Sequence, residues 1–146
     1  VDGIKFIADV LSDLDNTTRD ELINGMRTSD VKMSEDIESN CFIFESLPEV
    51  PKEILQEVVR KMKPETVITA ISDSNSKTKE SAIMCFPEKS RAALVSSLKT
   101  KTPSSEEVRN ARKEFTYSMR EMVDAGRLDL KDVNTKFSQQ QNQIEM

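Results

Sequence analysis

The side chains best suited to acid–base chemistry are carboxylates in close pairs: Asp13/Asp15, Asp20/Glu21, Glu35/Asp36 and Glu106/Glu107. General acid–base catalysis needs two carboxylates facing one cleft, with at least one desolvated so that its pKa moves. Each of these pairs instead falls on the polar side of an amphipathic pattern or in a helix first turn, where it complements the helix dipole. They read as solvated surface charge. Asp13-Leu14-Asp15-Asn16-Thr17 opens like a calcium loop but lacks the central glycine and the distal bidentate glutamate. The chain has no histidine, which removes Ser-His and Cys-His relays and His-ligated metals. A serine nucleophile would therefore depend on a lysine such as Lys77 or Lys89, and no elbow motif exposes a serine beside one. Gly3, Gly25 and Gly126 are the only glycines, too few and too scattered to cradle a phosphate or dinucleotide. Cys41 and Cys85 sit in apolar surroundings with no CxxC spacing and read as two buried thiols in a reducing compartment. The expectation is no catalytic centre, no cofactor, no metal and no small-molecule substrate.

Partner binding is then the leading class. A length of 146 residues fits one domain or two small helical units. The net charge of −5 supplies no broad positive field for nucleic acid or an anionic membrane. No apolar run approaches the ~18 residues that span a bilayer. No signal peptide is visible, and a first residue of Val1 rather than Met reads as a piece of a longer protein. Met26, Met33, Met62, Met84, Met119 and Met122 fall on or beside apolar stripes, as core filling or as an adaptable surface for a partner helix.

The elements that position these residues read as helices throughout. Ile4, Ile7, Leu11 and Leu14 form one stripe, and Leu22, Ile23 and Met26 form a second behind Thr17 or Thr18 as cap. A third helix is expected from about Asp30 to Ser46, with Met33, Ile37, Cys41 and Phe44 on one face. Leu47-Pro48-Glu49-Val50-Pro51 breaks the pattern, because the residue before each proline is pushed out of helical geometry. Pro51, Pro64 and Pro87 each open a further helix, and Asp73-Ser74-Asn75-Ser76 makes a turn. A long helix follows Thr102-Pro103-Ser104, with Ser104 and Glu107 at capping-box spacing, an apolar face of Val108, Ala111, Phe115, Met119 and Met122, and Gly126 as its left-handed cap. Arg127 to Leu130 reads as a short extended arm, and the polar stretch from Ser138 to Gln143 as a disordered or frayed tail. The fold class expected is all-α, with stacked armadillo-type helices rather than a long-seamed bundle, although no fixed repeat period is visible.

Two stretches resemble the flagellar motor-switch protein family, FliG. Val1-Asp2-Gly3-Ile4-Lys5-Phe6-Ile7-Ala8-Asp9-Val10-Leu11 followed by Asn16-Thr17-Thr18 is similar to the helix after the family's paired-glycine linker. Cys41-Phe42-Ile43-Phe44 resembles its Met-Phe-x-Phe hinge motif, with cysteine replacing methionine. The order of the proline-broken linker, Ala70-Ile71, Pro87 to Leu98, Pro103 and Ala125-Gly126 also fits, over residues 1 to about 130. The resemblance implies armadillo-like helices followed by a compact six-helix domain, with residues 1–46 as the first unit, 47–51 as linker, 52–130 as the stator-facing domain and 131–146 as a polar tail. It also implies a place in the rotor's switch ring at the cytoplasmic face of the membrane. The partners implied are a FliM-type switch protein, a MotA-type stator and neighbouring copies in the ring.

The family's charged ridge maps onto Ser72, Lys89, Ser96, Ser97 and Ser105, where only Lys89 keeps a charge. Glu88, Arg91, Lys99 and Lys101 stand nearby as substitutes. The expectation is a divergent or secondary copy with a weak stator contact. A helical adaptor unrelated to motility, using the same apolar grooves for a partner helix, is the alternative. Phe42 and Phe44 are expected to carry the join between the two units.

Overall fold

The computed structural model describes residues 3–145, with backbone alone for 142–145, and contains helices and no strand among them. Val1 and Asp2, which open the first resembling stretch, lie outside the described residues. The fold class is all-α, as the stripes require. The chain divides into two units. One combines the residues up to Ile43 with those from Asp129 onward; the other is Phe44–Leu128.

The first unit contains α1 (Gly3–Ser12), α2 (Asn16–Ser29), α3 (Val31–Ser39) and α9 (Leu130–Glu145). Ala8, Leu11, Ile23, Ile37 and Cys41 form its core, with Ile4, Ile7, Leu14 and Met26 packed around them. Helix α2 is capped by Asp15, whose carboxylate accepts from the Thr18 amide at 2.8 Å, rather than by Thr17 or Thr18. A carboxylate at this position satisfies a free N–H and also complements the dipole, which a threonine hydroxyl does not. Asp30 caps α3 in the same way, accepting from Met33 at 3.0 Å.

Helix α3 ends at Ser39, short of the Ser46 that the periodicity predicts. The Asn40 side chain donates to the Asp36 carbonyl at 2.7 Å and closes the last turn. Ile37 and Cys41 stay on the predicted apolar face, whereas Met33 is exposed and Phe44 belongs to the second unit.

The second unit opens with a 3₁₀ segment, Phe44–Glu49, followed by α4 (Lys52–Arg60), α5 (Pro64–Ile71), α6 (Ser76–Ile83), α7 (Glu88–Thr100) and α8 (Ser105–Asp124). The expected linker 47–51 is not a spacer. Leu47 is fully buried and Val50 nearly so, because the 3₁₀ turn tolerates Pro48 and aims both side chains inward. Pro64 sits in the first turn of α5, and Pro51 and Pro87 stand at the N-caps of α4 and α7. The α8 capping box is complete: Ser104 Oγ accepts from Glu107 N, and Glu107 Oε1 accepts from Ser104 N, both at 3.1 Å. At the other end Gly126 adopts φ 75°; Arg127 N donates to Met122 O and Gly126 N to Val123 O, a complete Schellman closure.

The residues after 130 are not an unstructured tail through the described range. Asp129 starts α9 by accepting from Lys131 N at 2.9 Å, and Asp132 and Lys136 pair one turn apart. Leu130 and Val133 are buried and Phe137 is half-buried, at helical spacing. A glutamine-rich stretch is polar yet helix-compatible, so polarity alone did not argue against a helix.

Candidate functional site

Helix α7 holds most of the candidate ridge, and none of its residues is buried. Ser90, Arg91, Leu94 and Leu98 are half-buried and mark its inner face. The exposed side carries Glu88, Lys89, Ala92, Ala93, Val95, Ser96, Ser97, Lys99 and Thr100. Lys89 and Ser96 stand two turns apart on this face, with Ser97 beside them. Lys89 and Lys99 are the exposed cations of this side, with Glu88 at its first turn.

Arg91 does not belong to that face. Its Nε donates to the Phe86 carbonyl at 3.0 Å and its guanidinium to the Met84 carbonyl at 3.2 Å, closing the end of α6. Ser72 is half-buried at the C-terminus of α5, its hydroxyl donating to Thr69 O at 2.8 Å. Ser105 is the exposed first residue of α8, followed by Glu106 and Glu107. The Ser104 amide and hydroxyl hold the Glu107 carboxyl below its usual range, so this end of α8 is acidic. Thus Lys89, Ser96, Ser97 and Lys99 share α7's exposed side, whereas Ser72 and Ser105 lie on two other helices of the same unit.

The Cys41-Phe42-Ile43-Phe44 segment is divided between the units. Cys41 is fully buried, and burial pushes its thiol up to about 11, partly opposed by Arg19 and by Ser12. The Phe42 amide donates to Ser12 Oγ at 2.9 Å, and Ser12 donates in turn to Ala8 O at 2.7 Å. Phe44 lies in the second unit, its ring edge-on to Phe115 with centroids 5.3 Å apart. Cys85 is only half-buried, unlike the fully enclosed thiol expected; what burial it has raises its pKa.

Two organising residues escaped the sequence reading. Arg112 on α8 donates to Ala70 O at 3.0 Å, to Asp73 at 2.6 Å and to Ser74 at 3.1 Å, with its guanidinium carbon 4.4 Å from the Phe44 ring centroid. Its position directly after the buried Ala111, on the margin of the apolar face, was the available signal. Asn134 on α9 donates to Ser39 O and Cys41 O, each at 2.9 Å, and more distantly to Glu38 O at 3.5 Å. An asparagine inside a helix, next to a buried valine, was the corresponding clue. Asn134, Ile43, Phe137, Arg27 and Glu38 line a groove of about 430 Å³ in the first unit. Among the described residues no cluster of three acidic or cysteine side chains could hold a metal ion, and no helix is long and apolar enough to cross a membrane.

The family described as the FliG C-terminal domain matches residues 24–130. The chain is 26% identical over 125 residues to a flagellar motor switch protein FliG of Pseudomonas aeruginosa, covering 85% of this chain and 37% of that protein. It is also 26% identical over 131 residues to the FliG of Vibrio cholerae, covering 89% and 38%. It spans well under half the length of these curated relatives. Among solved structures, a fragment of FliG from Helicobacter pylori (residues 116–343) superposes with a TM-score of 0.58 at 13% identity, covering 89% of this chain and 58% of that one. At that identity the structural likeness speaks for the fold.

Proposed function

For a chain that belongs to the FliG C-terminal domain family, we propose a role as a structural and interaction component of the flagellar rotor switch, at the inner face of the cell membrane. In this reading the first unit stacks against a neighbouring copy in the ring and engages a FliM-type switch protein. Support comes from Phe6 and Val10, one turn apart on α1 and 64% and 49% exposed, an apolar pair left uncovered. The second unit presents α7 toward a MotA-type stator.

That stator contact is weak in this chain. Exposed charge pairs contribute up to ~1 kcal/mol each, so a working contact needs several aligned charges. The observation that carries the reading is α7's exposed side, where Glu88, Lys89 and Lys99 are the charges among Ala92, Ala93, Val95, Ser96, Ser97 and Thr100, and the mapped ridge positions Ser96 and Ser97 are neutral. A divergent or secondary copy that scaffolds more than it drives fits such a surface. The test is the triple variant Ser72→Lys, Ser96→Asp, Ser97→Asp. It should bind the stator's cytoplasmic part more tightly than the parent at low ionic strength, and added salt should erase the gain. No gain at low salt would remove charge loss as the cause of weak binding.

A further inference from the structure

The family match ends at residue 130, where α9 begins, so α9 is an addition to the matched part of the chain. It does not stand apart. It packs against α3 within the first unit, and Asn134 reaches the backbone where α3 ends and the Cys41–Phe44 segment starts. The last carbonyls of a helix lack intrahelical donors, and Asn134 supplies them. One NH₂ group serves Ser39 O and Cys41 O, while its buried Oδ1 has no hydrogen-bond partner among the described residues. The side chain is therefore held by its donors alone. Asparagine is a weak helix former, so this position carries a local cost that the carbonyl contacts offset.

The topology gives the contact its consequence. The chain leaves the first unit after Ile43 and returns to it at Asp129. A segment joined at one end can rotate about a single backbone connection; one joined at both ends cannot do so freely when the two connections are tied together. Asn134 is a few residues beyond the return, and Cys41 a few before the departure. The 2.9 Å bond between them ties the two. We propose that α9 is a clasp on the hinge, which restrains rotation of Phe44–Leu128 about Cys41–Phe44 while Asn134 holds the Cys41 carbonyl. Releasing α9 would free the hinge without unfolding either unit.

The test uses the whole chain, with Cys41→Ala and Cys85→Ser and with nitroxide labels on Lys32→Cys and Lys113→Cys, both exposed positions, one in each unit. Asn134→Asp places a carboxylate against carbonyl oxygens; Asn134→Leu removes the donors at similar size. Both should broaden the inter-unit distance distribution measured by pulsed electron paramagnetic resonance. Amide exchange at 41–44 should rise about tenfold or more, with protection in α1, α2 and α8 retained. If Asn134→Asp alone strips protection from the first unit, Asn134→Leu decides. Unchanged distance widths in Asn134→Leu, or loss of α1 and α2 protection in both variants, would overturn the clasp and leave α9 as ordinary core.

Discussion

Replacing Phe44 by alanine should destabilise the second unit by about 4 kcal/mol. The ring is 7% exposed, so truncation forfeits nearly its whole transfer energy and leaves a cavity, together about 3–5 kcal/mol for a buried phenylalanine. The surroundings place it in the upper part of that range. Phe115, fully buried, loses its edge-on partner at 5.3 Å, and Arg112 loses the ring beneath its guanidinium. Arg112 is also fixed by Ala70, Asp73 and Ser74, so it cannot collapse into the space. Phe44→Leu keeps most of the volume and should cost about 1–1.5 kcal/mol. Denaturant unfolding of the intact chain measures the total, and amide exchange assigns it. Protection should fall in α5 and α8 and persist in α1 and α2. A loss below about 1 kcal/mol, or one confined to the first unit, would refute the packing argument, because a ring so enclosed cannot be removed cheaply.

Three further outcomes follow from other parts of the structure. Gly126→Ala should destabilise by about 1 kcal/mol because its φ of 75° strains any L side chain, whereas Gly25→Ala inside α2 should stabilise by a similar amount; neither Cβ would meet an atom within 4 Å, so opposite signs in thermal unfolding test the backbone argument alone. Cys41 keeps its proton in the folded chain up to about pH 11 but loses it near its ordinary value of 9.0 when unfolded, so its contribution is intact below pH 9 and is lost as pH rises toward 11. Unfolding midpoints across that window should fall more steeply in the parent than in Cys41→Ala, and parallel slopes would contradict the burial. Arg91→Ala should cost about 1–3 kcal/mol of stability by stripping donors from the Met84 and Phe86 carbonyls, yet leave stator affinity unchanged; a binding loss at unaltered stability would return Arg91 to the ridge.

Most helix starts were legible because their signals are local. Proline positions, the Ser104/Glu107 box and the Gly126 cap each depend on a few consecutive residues, and all three appear in the fold. The end of α3 was less legible, since its apolar spacing runs on through Cys41 and Phe44 although the backbone turns at Asn40. A stripe records which residues are buried, not whether one helix or two elements bury them. Helix α9 escaped for the converse reason: its anchoring depends on Asn134 reaching carbonyls more than ninety residues earlier in the chain, which no local window contains. At the candidate ridge, Lys89, Ser96 and Ser97 were singled out by the family resemblance alone, and Arg91's turn toward the Met84 and Phe86 carbonyls has no local sequence signal.

In the role proposed for it, this chain serves the rotor through its first unit while its second makes only a charge-poor stator contact. The most direct measurement titrates the intact chain onto the cytoplasmic part of a MotA-type stator and onto a FliM-type switch protein, at low and at physiological ionic strength. The account predicts saturable binding to the switch protein, and stator binding that is weak and nearly insensitive to salt, since Lys89 alone keeps a charge among the mapped ridge positions. Tight stator binding that salt weakens, and that Glu88→Gln or Lys99→Gln removes, would contradict it by showing that the charge pattern has moved to other positions on α7 and still works.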